Sequence, residues 1–162
     1  MPLHSTTRVR RGPPRRLLRG VTLLELAFTL VVAGLLAAIA VPAYRAYAER
    51  ARVSQAVADI AEISGRIQRF HTVNFRLPAS LAEAGAADFR DPWGRPYAYL
   101  EFTPTNRGAR RKDRNLVPIN SEYDLYSSGP DGQTRPPLAV PVSRDDVVRA
   151  RDGSFIGKAA DF

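Results

Sequence analysis

Hydrophobic residues form one uninterrupted run near the start of the chain. From Val21 to Tyr44, the only ionisable side chain before the tyrosine is that of Glu25. A helix of about twenty residues spans ~30 Å, which is the thickness of the hydrocarbon core of a bilayer. The pattern therefore predicts a membrane-spanning helix over residues 21–44, and Pro42 is a position where such a helix usually kinks.

The helical period continues after this run, but only one face remains apolar. Hydrophobic side chains recur at steps of three and four residues, at Val53, Val57, Ile60, Ile63, Ile67 and Phe70. Such a stripe is typical of an amphipathic helix that packs against other elements. We therefore expect one helix, ~80 Å long, from Val21 to about Val73, whose second half buries its stripe against a small domain.

The remaining chain contains turn and strand patterns. Asp91–Gly94 has the residue order of a type I turn, and the segments Pro96–Phe102 and Tyr123–Tyr126 predict strands. Between the strands, residues 106–115 predict a charged surface loop. Two strands form a marginal sheet unless a helix covers one face, and the apolar stripe supplies that cover. The predicted fold is α+β, a lollipop in which the long N-terminal helix packs on a small antiparallel sheet.

The net charge of +8 is concentrated before the apolar run. Residues 1–20 carry six arginines and no acidic side chain, at Arg8, Arg10, Arg11, Arg15, Arg16 and Arg19. The remaining 18 basic and 16 acidic side chains leave a balance of +2. The positive charge thus belongs to an arm that the positive-inside rule places in the cytoplasm, and a nucleic-acid partner is not expected.

The junction between this arm and the apolar run contains a carboxylate in a costly position. A charged side chain in a membrane-spanning helix costs roughly 2.5–3.5 kcal/mol at the helix centre and less near its ends, so Glu25 calls for a functional explanation. Residues 20–25, Gly-Val-Thr-Leu-Leu-Glu, resemble the processing site of type IV pilins and pseudopilins, except at Val21, where phenylalanine is usual. The resemblance implies cleavage after Gly20 by the prepilin peptidase, N-methylation of Val21 and filament assembly, in which we expect Glu25 to act.

Two other interpretations of this region stay open. Thr22 and Glu25 also have the spacing of a capping box, which satisfies free amides at a helix start. A removable secretory signal that is cleaved after Ala40 would leave a monomeric periplasmic binding domain beginning at Val41. The apolar run is longer than the ~7–15 residues usual in such a signal, which favours the pilin-like interpretation.

Two motifs further along the chain narrow the resemblance to one subfamily of this class. The chain resembles the major pseudopilin of the type II secretion system in two motifs and in their order. They are Asp91–Gly94 and residues 123–132, Tyr-Asp-Leu-Tyr-Ser-Ser-Gly-Pro-Asp-Gly. The resemblance implies a leader of residues 1–20, a transmembrane and polymerisation helix of residues 21–44, and a periplasmic domain of residues 45–162. It implies as partners further copies of the chain, minor pseudopilins and the inner-membrane assembly platform.

The function implied by this resemblance is structural. A pseudopilin is a subunit of a periplasmic filament whose polymerisation drives the export of folded proteins across the outer membrane. The alternative is a type IV pilin or minor pilin of a surface fibre for adhesion, motility or DNA uptake. The chain contains no cysteine, whereas major pilins commonly close their C-terminal region with a disulfide, and this favours the pseudopilin.

A calcium site is a further implication of the resemblance. Pseudopilins of this family tie their C-terminal loop with a calcium ion, which takes about six to eight oxygen ligands. Asp131 and Ser128 fall on positions that match the family's ligands. Asp145 and Asp146 match less securely.

The alternative is that the C-terminal loop closes without a metal ion. Residues 133–144 carry three prolines where the family usually has a loop rich in glycine and acidic residues. These prolines could stiffen the loop. Asp145 would then cap a short helix over Val147–Ala150, and Asp131 would only shape its turn.

Catalytic groups are sparse in this sequence. It contains two histidines, His4 and His71, and no cysteine, so a metal centre of the histidine–cysteine type is not expected. The segment Gly153–Lys158 is similar to a phosphate-binding loop but is one residue short, and it predicts a turn in the C-terminal tail. We therefore predict that the chain is not an enzyme.

Overall fold

The computed structural model describes residues 20–162, so the predicted leader lies outside the described residues except for Gly20. The chain divides into two compact units, with the boundary between Pro42 and Ala43. One helix, α1, extends over Leu23–Asn74 and confirms the predicted long helix. It continues through Pro42.

Helix α1 begins with a threonine cap. The backbone amide of Glu25 donates a hydrogen bond to Thr22 Oγ1 at 3.1 Å, and the Leu26 amide donates to the Thr22 carbonyl at 3.0 Å. The first bond satisfies one of the amides that lack an intrahelical partner at a helix start, and the second is the first backbone bond of the helix. The helix starts at Leu23, two residues after the predicted start at Val21, because the Thr22 side chain caps its first turn.

The C-terminal unit contains one antiparallel sheet. Its strands are β1 (Ala98–Glu101), β2 (Tyr123–Ser127), β3 (Val147–Ala150) and β4 (Phe155–Lys158), and they lie side by side in that order. Glu101 pairs with Tyr123 across β1 and β2, and Val147 pairs with Lys158 across β3 and β4. The structure confirms the α+β class and the two predicted strands.

Two sequence expectations about the C-terminal end were wrong. Val147–Ala150 is the strand β3 and not a short helix, so Asp145 has no helix to cap there. The segment Gly153–Lys158 is not only a turn, since Phe155–Lys158 forms β4 beside β3. All four residues of β3 are buried, so the strand lacks the alternation of exposed and buried positions that identifies a strand in a sequence.

The apolar stripe of α1 lies in the main core. Ala56, Ile60, Ile63 and Ile67 are fully buried against residues of the sheet, while Val53 and Val57 are partly buried beside them. Tyr97, Tyr123, Leu125 and Val147 complete this cluster. Burying an isoleucine side chain contributes ~1.5–3 kcal/mol, so the stripe contributes much of the stability of this unit.

A second hydrophobic cluster contains the alternate residues of β3. Val148 and Ala150 lie there with Ile119, Leu138 and Ala159, whereas Val147 belongs to the main core. Because successive side chains of a strand point to opposite faces, β3 is covered on both faces. The segment 128–146 therefore runs from the end of β2 to the most deeply buried strand of the sheet.

Candidate functional site: the apolar half of helix α1 and the C-terminal loop

The first half of α1 exposes its hydrophobic side chains. Between Val21 and Tyr47, the large exposed ones are Val21, Leu23, Leu24, Leu26, Phe28, Leu30, Val31, Val32, Leu35, Leu36, Ile39, Val41, Tyr44 and Tyr47. Soluble monomers rarely expose apolar patches larger than a few hundred Å². Among residues 20–162, α1 is the one helix that is long and apolar enough to cross a membrane. Lipid or other protein chains must cover this surface.

Glu25 is an exposed carboxylate within this apolar surface. The Thr22 cap engages the backbone amide of residue 25, which any amino acid other than proline could supply. The structure thus confirms the threonine half of the predicted capping box and leaves the glutamate side chain free for another role. Gly20 and Val21 precede the helix, in non-helical backbone. A Cβ added at Gly20 would meet no atom of the described residues within 4 Å, so packing against residues 21–162 does not explain this glycine.

The two motifs that narrowed the resemblance lie against each other. Asp91 Oδ2 accepts a hydrogen bond from the Ser127 hydroxyl at 2.5 Å, and both residues are buried. Asp91 Oδ1 accepts from the amides of Trp93 and Arg95, and the Gly94 amide donates to the Asp91 carbonyl at 2.8 Å, which confirms the predicted turn. The sequence predicted each motif separately but not the bond that joins them.

Two of the four predicted calcium ligands come together. The Asp131 amide donates to Asp145 Oδ2 at 3.3 Å. The backbone at Gly129, two residues before Asp131, also lies close to Asp145, because a Cβ added at Gly129 would lie 2.5 Å from the Asp145 carbonyl oxygen. Gly129 also has a φ of +63°, a conformation that favours glycine. Ser128 directly follows β2 and belongs to this turn.

Asp146, the fourth predicted ligand, has a different partner. It is fully buried, and its Oδ2 atom forms an ion pair with the guanidinium of Arg111, which is 2 % exposed. Thr134 Oγ1 also donates to Asp146 Oδ2 at 2.7 Å. Burial raises the pKa of Asp146 to about 6, although Arg111 and Thr134 both favour the charged carboxylate.

A second arginine, Arg95, contacts the turn that contains Asp131. Arg95 Nη2 donates to the Gly129 carbonyl, and a Cβ added at Gly132 would lie 2.7 Å from Arg95 Nη1. Asp131 Oδ1 accepts from the Gln133 amide at 2.8 Å, which is the bond of an Asx turn. Of the four predicted calcium ligands, Asp146 pairs with the guanidinium of Arg111, whereas Asp131 and Asp145 contact each other. Among residues 20–162, no three histidine, cysteine, aspartate or glutamate residues are grouped so that they could hold a metal ion.

The exposed apolar helix and the small antiparallel sheet define a class, that of filament subunits with a pilin-like layout. Type II secretion system core protein G of Escherichia coli strain K12 is 31% identical in an alignment that covers 71% of this chain and 83% of that protein. The core protein G of Klebsiella pneumoniae is 29% identical over 80% of this chain and 91% of its own length. A fimbrial protein of Neisseria meningitidis serogroup A is 27% identical over 83% of this chain and 80% of its own.

The chain therefore belongs to the pilin and pseudopilin family that includes type II secretion system core protein G. Relatives with the names fimbrial protein and major pilin are structural subunits, which confirms that this chain is a fibre subunit and not an enzyme. No family model matches the chain. No solved structure matches it either.

Proposed function

We propose that the chain is the major subunit of a periplasmic pseudopilus in a type II secretion system. The observation that carries this proposal is the exposed apolar half of α1, with Glu25 as its acidic residue. The relatives with the name core protein G support the secretion role, and they include the relative with 31% identity. The absence of cysteine in the sequence supports it further.

Assembly begins, in this proposal, with processing at the start of the apolar run. The prepilin peptidase cleaves after Gly20, where the missing Cβ lets the extended chain approach a protease closely. The new amino group on Val21 is then N-methylated. It lies four residues before the Glu25 carboxylate, next to the first turn of α1.

Glu25 then pairs with the Val21 ammonium of a neighbouring copy. A carboxylate and an ammonium attract each other strongly where water is excluded, and an unpaired charge there is costly. The pairing would fix the axial register of adjacent copies while their apolar helices cover one another. Before assembly, lipid of the inner membrane covers the same residues, and the arginine-rich arm keeps the N-terminus in the cytoplasm and the C-terminal unit in the periplasm. Minor pseudopilins and the inner-membrane assembly platform are the further partners.

A type IV pilin of a surface fibre is the second candidate. The fimbrial protein of Neisseria meningitidis serogroup A and the major pilins of Neisseria gonorrhoeae favour it, since they match 82–85% of this chain. In this case the same helix and the same glutamate would build a fibre outside the cell.

Deletion of the gene distinguishes the two candidates. The proposal expects exported enzymes to accumulate in the periplasm of the deletion strain, while any surface pili remain visible by negative-stain electron microscopy. Complementation with the wild-type chain should restore export, whereas the Glu25→Gln chain should not. Loss of surface pili with normal export would contradict the proposal and establish the pilin.

A further inference from the structure

The C-terminal loop is held by a buried arginine from the segment that the sequence predicted as a charged surface loop. Arg111 is 2 % exposed, in contrast to the exposed residues 107–109 just before it. Its guanidinium donates to three oxygens of different kinds: the Thr134 hydroxyl, the Arg135 carbonyl at 2.6 Å and the Asp146 carboxylate. These oxygens lie at the middle and the end of the segment 128–146, so one side chain ties the loop at both places.

Arg111 is itself fixed to the neighbouring strand β2. Its backbone amide donates to Asp124 Oδ2 at 2.6 Å, and its guanidinium carbon lies 4.4 Å from the centre of the Tyr126 ring. Both partners belong to β2, from whose end the loop departs. A cation over an aromatic face gains electrostatic energy, more so when water is excluded. The arginine thus links the strand before the loop to the carboxylate that directly precedes β3.

The acceptors of Arg111 are the same chemical groups that calcium would gather. Calcium closes loops by binding carboxylate, carbonyl and hydroxyl oxygens together. A guanidinium has five N–H donors and can bind the same oxygens through hydrogen bonds. Arg95 donates to one further oxygen of the loop, the Gly129 carbonyl. We propose that Arg111, with Arg95, is the built-in cation of the C-terminal loop, and that the loop folds without calcium.

Charge argues against a metal ion in addition to the arginine. Asp146 is fully buried and already neutralised by Arg111, so a divalent cation at this carboxylate would meet a fixed positive charge. Displacing Arg111 to admit the metal would leave a guanidinium without a partner in the interior, which is strongly unfavourable. This inference concerns the folded subunit, and it holds for a secretion filament and for a surface fibre alike.

The test uses the full-length chain in detergent micelles, with the metal alone as the probe. Thermal unfolding and hydrogen exchange of residues 128–146 are measured in millimolar calcium and in excess chelator. We expect the wild-type melting temperature to agree within about 1 °C between the two conditions, and the exchange rates of the loop to agree within about twofold. Arg111→Met should lower the melting temperature by more than about 10 °C, because it leaves Asp146 buried and unpaired.

Arg110→Met is the matched control. Arg110 also lies over an aromatic ring, that of Phe102, and it donates to the Thr103 carbonyl, and neither of these partners belongs to the segment 128–146. Its replacement should shift the melting temperature by less than half as much and leave the exchange of the loop unchanged. A chelator that lowers the melting temperature of the wild-type chain by several degrees would overturn the proposal. Because this result needs no variant, the proposal stays testable even if Arg111→Met does not fold.

Discussion

The two halves of helix α1 differ in whether their hydrophobic side chains are buried or exposed. After Ala43 the hydrophobic residues form one stripe, and Ile60, Ile63 and Ile67 are completely buried within the C-terminal unit. Before Pro42 the hydrophobic residues surround the helix, and Leu23, for example, is 87 % exposed. A stripe can be buried by the chain's own sheet, whereas a helix that is apolar all round needs lipid or other chains.

This difference separates folding from assembly within one element. The second half of α1 contributes to the stability of a single copy, and its replacements should change unfolding free energies. The first half exposes its hydrophobic side chains in the part of the chain that the structure describes, so its replacements should change processing, membrane insertion or polymerisation. Four substitutions test this division, and they are ordered from the largest expected effect to the smallest.

Replacement of Gly20 should have the largest effect. Gly20→Leu places a large side chain next to the bond that we expect the peptidase to cut, so a full-length precursor should remain in the membrane and no filament should form. Immunoblotting for the precursor and electron microscopy for filaments measure the two results. Gly34→Leu is the control, since a Cβ added there also meets no atom within 4 Å, and it should be processed normally. Normal processing of Gly20→Leu would refute the cleavage site.

Glu25→Gln should be processed but should assemble poorly. The amide keeps the size of the side chain and removes the charge, so the ammonium of the neighbouring copy loses its partner in an apolar setting. We expect the filament yield to fall by at least tenfold, with no change in the stability of the C-terminal unit. Glu49→Gln, on the same helix and 3.5 Å from Arg52, should assemble as the wild type does. A normal yield from Glu25→Gln would show that assembly does not need the charge of this glutamate.

Ile63→Ala should destabilise the C-terminal unit by about 2–5 kcal/mol, since it removes methyl groups from a fully buried site. Leu35→Ala removes a similar side chain from the exposed half, where Leu35 is 65 % exposed, and should change the same unfolding free energy by less than about 0.5 kcal/mol. Trp93, the only tryptophan, packs against the main core and reports urea unfolding of this unit by its fluorescence. Equal effects of the two replacements would show that the halves of α1 do not differ as described.

Ser127→Ala should cost about 1–3 kcal/mol, because it leaves the buried Asp91 carboxylate without the hydroxyl that donates to it at 2.5 Å. The same urea titration measures this loss. Ser54→Ala removes a hydroxyl that donates to the Arg50 carbonyl on the exposed surface of α1, and it should cost less than about 0.5 kcal/mol. A Ser127→Ala cost as small as that control would mean that the bond between the two motifs does not stabilise the fold.

The pattern of hydrophobic residues was sufficient to predict α1, its buried stripe and the first two strands. Periodicity identifies these elements because each has one face that differs from the other, as in the stripe from Val53 to Ile67. Strands β3 and β4 escaped prediction for physical reasons. Val147–Ala150 is buried on both faces and includes a buried arginine, and Phe155–Lys158 contains Gly157 after the turn at Gly153.

The contacts of the C-terminal loop could not be predicted from the sequence. Arg111 stands among other basic residues, and nothing in the pattern distinguishes it from Arg107 or Arg114. Its burial depends on where the fold places Asp146, some thirty-five residues further along the chain. Long-range pairing of this kind leaves no periodic trace, whereas the turn at Asp91 was recognisable from four adjacent residues.

Mass spectrometry of the N-terminus of the chain purified from membranes tests the central claim most directly. The account predicts a chain that begins at Val21, carries one additional methyl group on its amino nitrogen and retains the whole apolar half of α1. A chain that begins at Met1 would contradict the proposed processing. One that begins at Val41 would contradict the filament itself, because the exposed apolar surface would have been removed with a secretory signal.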